Sequence, residues 1–404
     1  MDGDLPLGRR IAVFRKLRGW TQEGLALRLN RSISWVTKVE RGERRVDSMS
    51  VLLELSRALS VPVHQLAGNE DRHRNPGAAD EGMLRLRRVL DRSAGIEPRA
   101  DRPTRPVGSL TEEASSLRRL YNTSDRGFSA SVPLLGDLIV EARAASSHGD
   151  ESERLLAQTA LANLYRLASL ELRRQGDYGR ARLAVDRALL TAEGAGDELL
   201  VASVSATLTV QLMMQGDPED AVALALDAVD MVRRGVTARH DRASHSVIQG
   251  ALRLYAAQAA ARAGDAFDAE AMLKIAVDIA AESGRDRERH CLIFGPTNVQ
   301  IQTVGMLVDL QRPRDAVAKA AGLRADRAGS VSRSCYHHIH VARAHGMLGN
   351  DDAMLDSLTA AYHIAPRFVC HDPLARDQVR DLVRRKRSID ERLRCLANAM
   401  RVLD

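Results

Sequence analysis

The sequence predicts an all-α chain, a five-helix N-terminal unit followed by a long α-solenoid, and three observations carry that prediction. Two short amphipathic runs meet at a polar corner between Thr21 and Arg41. Farther along, a Gly-Asp or Gly-Asn turn recurs between helical runs, with alanines at matching offsets after each turn. The composition agrees: Ala, Leu and Arg, which lose little on entering a helix, are abundant, and aromatic residues make up only 3%. A chain of 404 residues exceeds one ordinary core. The expected division is a DNA-binding unit over 1–67, a linker with one or two helices over 68–133, and a helical repeat domain with C-terminal capping helices over 134–404.

The first helix is expected from Gly8 to Arg18, with Ile11, Val13, Phe14 and Leu17 as its apolar positions. Gly19 stops it, and Trp20 covers the exit. Thr21 is a good N-cap for a second helix with a core stripe at Leu25, Ala26 and Leu29. Asn30 sits where the chain must turn and tolerates left-handed geometry. Ser32 can cap a third helix, buried through Val36 and Val39, with Ile33, Ser34, Thr37, Lys38 and Arg41 outward; Gly42 ends it. Ser48 to Leu59 and Val63 to Leu66 complete five helices.

Two helices around a tight corner suit entry of the second into a DNA major groove. Ser34, Thr37 and Lys38 have the reach and chemistry for base edges, and Ile33 can touch a thymine methyl. Gln22 and Ser32, at helix starts, suit phosphate contacts, while Arg41, Arg44 and Arg45 follow the reading helix along the backbone. Charge is placed to match: Met1 to Leu66 carries 12 Lys/Arg against 7 Asp/Glu, or +5 of the chain's +6. A basic head on a neutral body is the pattern expected when only the head meets phosphate. Trp35 reads as a packing residue against the first helix.

TQEGLALRL and SISWVTKVERGERRV resemble the XRE, or lambda-repressor-like, helix-turn-helix family over roughly Leu7 to Leu66. Gln22, Glu23, Leu25, Ala26, Val36, Val39, Glu40 and Gly42 fall on its framework positions. Two residues depart from it: Asn30 replaces the usual turn glycine, and Arg31 a usually apolar residue. Arg31 either snorkels over the core or adds a phosphate contact. The resemblance implies binding of double-stranded DNA, as a homodimer.

From Gly68 to about Pro133 charge, Pro and Gly dominate, the signature of connection. Within it MLRLRRVLDRS and SLTEEASSLRRLY read as helices that form a dimer, dock a domain or pack on their own body. Thereafter the turns begin at Gly176, Gly216, Gly264 and Gly349, with a degenerate copy around Pro313. Ala181, Ala221 and Ala269 share one offset, and Ala188, Ala228, Ala276 and Ala361 another; Met354 breaks the first series. About five helix pairs are expected. The pattern resembles tetratricopeptide (TPR) repeats with a loose period. Together with FGPTNVQIQTV and HVARAHGMLGN, it makes the chain similar to actinobacterial-type XRE regulators with C-terminal TPR arrays.

Such arrays curl around a concave face. Registering the repeats on their turns places Asn163, Arg166, Gln258, Asn298 and Arg343 toward it, a ligand groove for a peptide or small-molecule effector. The chain is thus expected to be a sequence-specific, effector-responsive transcriptional regulator. The alternative is a protein–protein scaffold that uses the groove, with the head secondary. CYHHIH (Cys335 to His340) has only one pair at metal-ligand helical spacing, and Cys370-His371-Asp372 are too close in sequence to face one another. No phosphate loop, dinucleotide fingerprint or zinc-protease motif occurs, so no enzyme, metal or cofactor is expected. With no signal segment and no apolar run near the roughly 20 residues of a span, the expectation is a cytoplasmic chain with no membrane partner. The four scattered cysteines point to reduced thiols.

Overall fold

The computed structural model describes residues 7–44, 46, 51, 54–55, 58–59, 61, 78–92, 105–123, 127–234, 241–386 and 388–403. In the head, α1 (Leu7–Leu17), α2 (Gln22–Arg28) and α3 (Ile33–Arg41) pack around Ile11, Leu25, Val36 and Val39, with Leu55 and Leu59 from a following helical stretch. The Thr21 hydroxyl accepts from the Gly24 amide at 3.0 Å and Ser32 from Trp35 at 3.1 Å, so both caps form. Asn30 takes the turn with φ 50°, and Gly42 closes α3 at φ 76°. α1 and α3 cross so closely at Gly8 that a Cβ there would lie 2.2 Å from the Val39 carbonyl. The fifth helix expected over Val63 to Leu66 lies outside the described residues.

The body has five helix pairs. They are α7 (Glu151–Arg174) with α8 (Tyr178–Gly194), α9 (Glu198–Gln215) with α10 (Pro218–Arg234), and α11 (Arg242–Ala263) with α12 (Ala266–Ser283). Then come α13 (Pro296–Asp309) with α14 (Pro313–Ala320), and α15 (Val331–Met347) with α16 (Asp351–Ile364). The intra-pair turns share one geometry. Gly176, Gly216, Gly264 and Gly349 all have positive φ, and in the degenerate copy Gln311 adopts φ 62° in the glycine's place. Five residues past each turn residue a buried alanine lets the pair close: Ala181, Ala221, Ala269 and Ala316. The last pair carries Met354 there, and Gly346 on the facing helix makes room, a Cβ at that glycine falling 3.0 Å from the Met354 sulfur.

The segment read as a linker contributes helices to the array. α4 (Ala78–Asp91), α5 (Val107–Thr123) and α6 (Gly127–Ala145) share a core with α7 and α8. α6 runs straight through Pro133, and α4 crosses it at Gly82, whose Cβ position lies 2.6 Å from Pro133 Cα. Arg180 grips Asp91 at 2.7 Å, and Arg87 reaches Asp177 at 3.1 Å, tying α4 to the first repeat turn. These helices are charged because one face is solvated; Met83, Leu86, Val89 and Leu90 bury the other. Helices α17 (Pro366–His371), α18 (Pro373–Arg385) and α19 (Glu391–Ala399) cover the far end.

The array curls until its two ends meet. α5 touches α15, α6 touches α17, and the Arg174 guanidinium stacks 4.0 Å from the Phe368 ring centroid. A β-hairpin, β1 (Arg287–Arg289) paired antiparallel with β2 (Leu292–Phe294), interrupts the expected all-α order between α12 and α13. Phe294 anchors it by filling the space above Gly250, where a Cβ would lie 2.2 Å from the ring. Asp286 then caps α13 through the amides of Thr297 and Asn298. α9 is long and apolar enough to cross a membrane, and 67% of it is buried in the array, as befits a helix packed on several sides.

Candidate nucleic-acid interface and inner cavity

One side of α3 is held by a buried hydrogen-bond network and the other is left free. Arg15 on α1 forms a bidentate pair with Glu40 on α3, Nε to Oε1 at 2.6 Å and Nη2 to Oε2 at 3.0 Å. Gln22 on α2 donates to Glu40 Oε2 at 2.8 Å and accepts from the Thr37 hydroxyl at 2.9 Å. Three helices are thereby riveted through one carboxylate. A buried pair of this kind is costly to break, because either partner left alone is an uncompensated charge.

On the free side of α3, Ile33, Ser34, Lys38 and Arg41 are exposed together, with Ser32 and Arg44 at its two ends. Thr37 and Gln22 lie at the edge of this face, already bonded to one another. Arg31 is half-exposed and turned toward the head's own fourth helical stretch, 3.4 Å from Glu54 and 5.6 Å over the Trp35 ring. Trp35 is buried in the head core. Arg45 lies outside the described residues. Arg28 stacks 4.0 Å from the Trp20 ring centroid, which fixes the α1–α2 corner.

The second feature is a cavity of about 1240 Å³ lined by the curled array and by residues of the head. Ten arginines and three aspartates of the body line it. Arg166, Gln258 and Arg343 are among the lining residues; Asn163 and Asn298 are not. Asn163 stands just behind, its Oδ1 accepting from Arg166 at 3.2 Å and from the Cys291 thiol at 3.4 Å. Asn298 corrects the groove assignment: it is 1% exposed and donates to the Ile293 carbonyl at 2.8 Å, holding β2 onto α13. An amide at a helix start next to an unforeseen hairpin was drawn to that hairpin's backbone.

Arg166 is 2% exposed, yet its partners are neutral: Thr207 Oγ1, Ser203 Oγ, Asn163 Oδ1 and the His290 carbonyl. Burial and the nearby Arg118 charge lower its pKa to about 10. Arg118 itself donates to the Cys291 carbonyl at 2.8 Å. At the other end, Arg343 and Arg262 share the single buried carboxylate of Asp309, at 2.8 and 3.2 Å. Burial raises the Asp309 pKa but the two arginines outweigh it, leaving the group below its ordinary value. Arg118, Tyr255 and Arg262 were missed from sequence. Tyr255 and Arg262 stand three before and four after Gln258, so helical periodicity from that residue would have found both.

The CYHHIH segment is packed, with Cys335, His337 and His340 buried. Burial lowers the pKa of His337 to about 4 and, with the Arg343 charge, that of His340 to about 3. His340 sits against Gly305, where a Cβ would come within 2.8 Å of Nε2.

Residues 6–67 match the model of a helix-turn-helix domain. An uncharacterized HTH-type transcriptional regulator of Bacillus subtilis (strain 168), YazB, is 41% identical over 63 residues, which are 16% of this chain and 90% of that protein. A crystal structure of Bacillus thuringiensis PlcR, in complex with the peptide PapR7 and DNA, aligns with 90% of this chain and 94% of its own at 12% identity and a TM-score of 0.24. Through its head, which matches nearly the whole of the Bacillus subtilis relative, the chain belongs to the HTH-type transcriptional regulators.

Proposed function

We propose that the head, residues 1–67, reads DNA through the exposed face of α3, with Ser34 and Lys38 on base edges and Ile33 against a thymine methyl. Arg41, Arg44 and Arg45, with Ser32 and the α2 start at Gln22, follow the phosphates. The observation that carries this reading is the coincidence of an exposed Ile33-Ser34-Lys38-Arg41 face with an opposite face locked by the Arg15–Glu40–Gln22 network. Gln22 and Thr37 contribute mainly by holding α3 in place, and Arg31 by stiffening the corner.

The array is the sensor in this reading. Head residues Arg31, Trp35 and Glu54 border the same cavity that the body arginines line. An occupant of that cavity therefore shifts the population of head placements. In a homodimer, operator half-sites must lie about 34 Å apart, so head placement sets DNA affinity. Selection of genomic fragments by the purified full-length protein at near-physiological salt tests the proposal. An inverted-repeat motif that weakens with Lys38→Ala supports it. No motif, with or without cell extract, favours the scaffold reading instead.

A further inference from the structure

Taking the array as the sensor, we infer that its ligand is an extended acidic oligopeptide whose two carboxylates lie about three residues apart. The cavity is strongly cationic, its lining carrying thirteen arginines against three aspartates and two glutamates. Two sites in its wall each set two guanidinium groups against a single carboxylate among the described residues. At the first, Arg166 is buried among neutral oxygens beside Arg118, and the one carboxylate near the two is Glu288, 3.7 Å from Arg118. Buried cations that outnumber their counter-ions are costly, and a further anion placed beside them relieves that cost. At the second, Arg262 and Arg343 share the one charge of Asp309.

Helix α11 runs between the two sites. Its Tyr255, Gln258 and Arg262 occupy positions i, i+3 and i+7, a single stripe about 10 Å long at 1.5 Å per residue. Tyr255 lies at the Arg166 end and receives a hydrogen bond from Arg333 at 3.2 Å, while Arg262 belongs to the Asp309 cluster. Between them the Gln258 side-chain Nε2 is buried with no acceptor among the described residues. An orphan amide donor midway between two cationic sites fits a peptide carbonyl flanked by two carboxylates. An extended chain advances about 3.3 Å per residue, so 10 Å corresponds to three positions. The cavity volume, at about 1240 Å³, exceeds the roughly 300–1,000 Å³ usual for small-molecule sites and suits a peptide.

Calorimetric titration of the full-length protein reads binding directly, apart from any effect on DNA. The probes are blocked tetrapeptides, acetyl-Glu-Ala-Ala-Glu-amide, its Gln-Ala-Ala-Gln counterpart and acetyl-Glu-Glu-Ala-Ala-amide, with suberate as a small dicarboxylate of similar span. The expected result is that the first binds at least about tenfold tighter than each of the others, and that Arg166→Gln and Arg343→Gln each weaken it about tenfold or more. Gln258→Glu, which adds a negative charge between the sites, should abolish binding while leaving the helical circular dichroism unchanged. Equal binding of the glutamine peptide, or no binding of the acidic one, overturns the inference. Suberate binding as tightly overturns the peptide assignment. Retained affinity in Arg166→Gln and Arg343→Gln places the peptide outside the cavity. A failure here with an intact operator motif would leave the DNA-reading proposal standing.

Discussion

The Arg166 guanidinium donates to the backbone carbonyl of His290 at 2.7 Å, tying a helix of the first repeat to the tip of a hairpin 124 residues later. That tip is a two-residue turn, His290-Cys291, with φ 47° and 58°. Left-handed backbone costs an ordinary residue about 1–2 kcal/mol. Two such residues in succession persist because Arg166 and Arg118 hold their carbonyls and Phe294 is fixed on Gly250. The inner face of the array and the hairpin are therefore one structural unit.

If the tip is strained, relieving it should stabilise the body. Replacing His290-Cys291 with Asn-Gly, the residues such a turn prefers, is predicted to raise unfolding free energy by about 1 kcal/mol. Urea denaturation followed by circular dichroism measures this; an unchanged or lower midpoint would show that the thiol's contact with Asn163 outweighs the strain.

The Phe294 anchor predicts the opposite sign. Gly250→Ala places a methyl into the ring and should cost about 1–3 kcal/mol through overpacking. Phe294→Leu in the same chain should recover part of that loss. A double-mutant cycle showing no coupling between the two positions would rule out the packing described.

How much of this was legible in the residues depends on whether the cause was local. Caps at Thr21 and Ser32, the left-handed Asn30 and the glycine turns of the repeats all follow from a residue and its near neighbours, and sequence alone places them. The hairpin does not: its turn carries neither Asn nor Gly, and it is held by Arg118 and Arg166, which are remote in sequence. Asn298 was assigned to the groove for the same reason. The helices in MLRLRRVLDRS and SLTEEASSLRRLY were legible, but their packing on the array was not, since sequence shows that a face is solvated but not what the other face covers.

Glu171 gives the body a pH dependence. It is fully buried, accepts from the Ser131 hydroxyl at 2.7 Å, and burial raises its pKa from 4.5 to about 7. The folded state therefore holds this proton more tightly than the unfolded chain does. Its contribution to stability is complete below pH 4.5 and is lost as pH rises through about 7, a change on the order of 3 kcal/mol. Glu171→Gln should flatten the stability profile across that window. Identical profiles for the two proteins would mean that Arg174 keeps the carboxylate ionised throughout.

The network under α3 predicts a local failure. Glu40→Ala strands Arg15 in the head core and should destabilise the head by about 3–5 kcal/mol. Hydrogen exchange would show lost protection over residues 7–41 with α7 to α16 unchanged. Loss spread evenly along the chain would contradict the assignment.

In the proposed function the exposed face of α3 reads DNA sequence. The most direct measurement is the affinity of full-length protein for its selected operator fragment, compared with Ser34→Ala and Lys38→Ala. Each substitution is predicted to cost about 1–3 kcal/mol and to relax the base preference at one position of each half-site. Unchanged affinity and unchanged preference in both variants would contradict it.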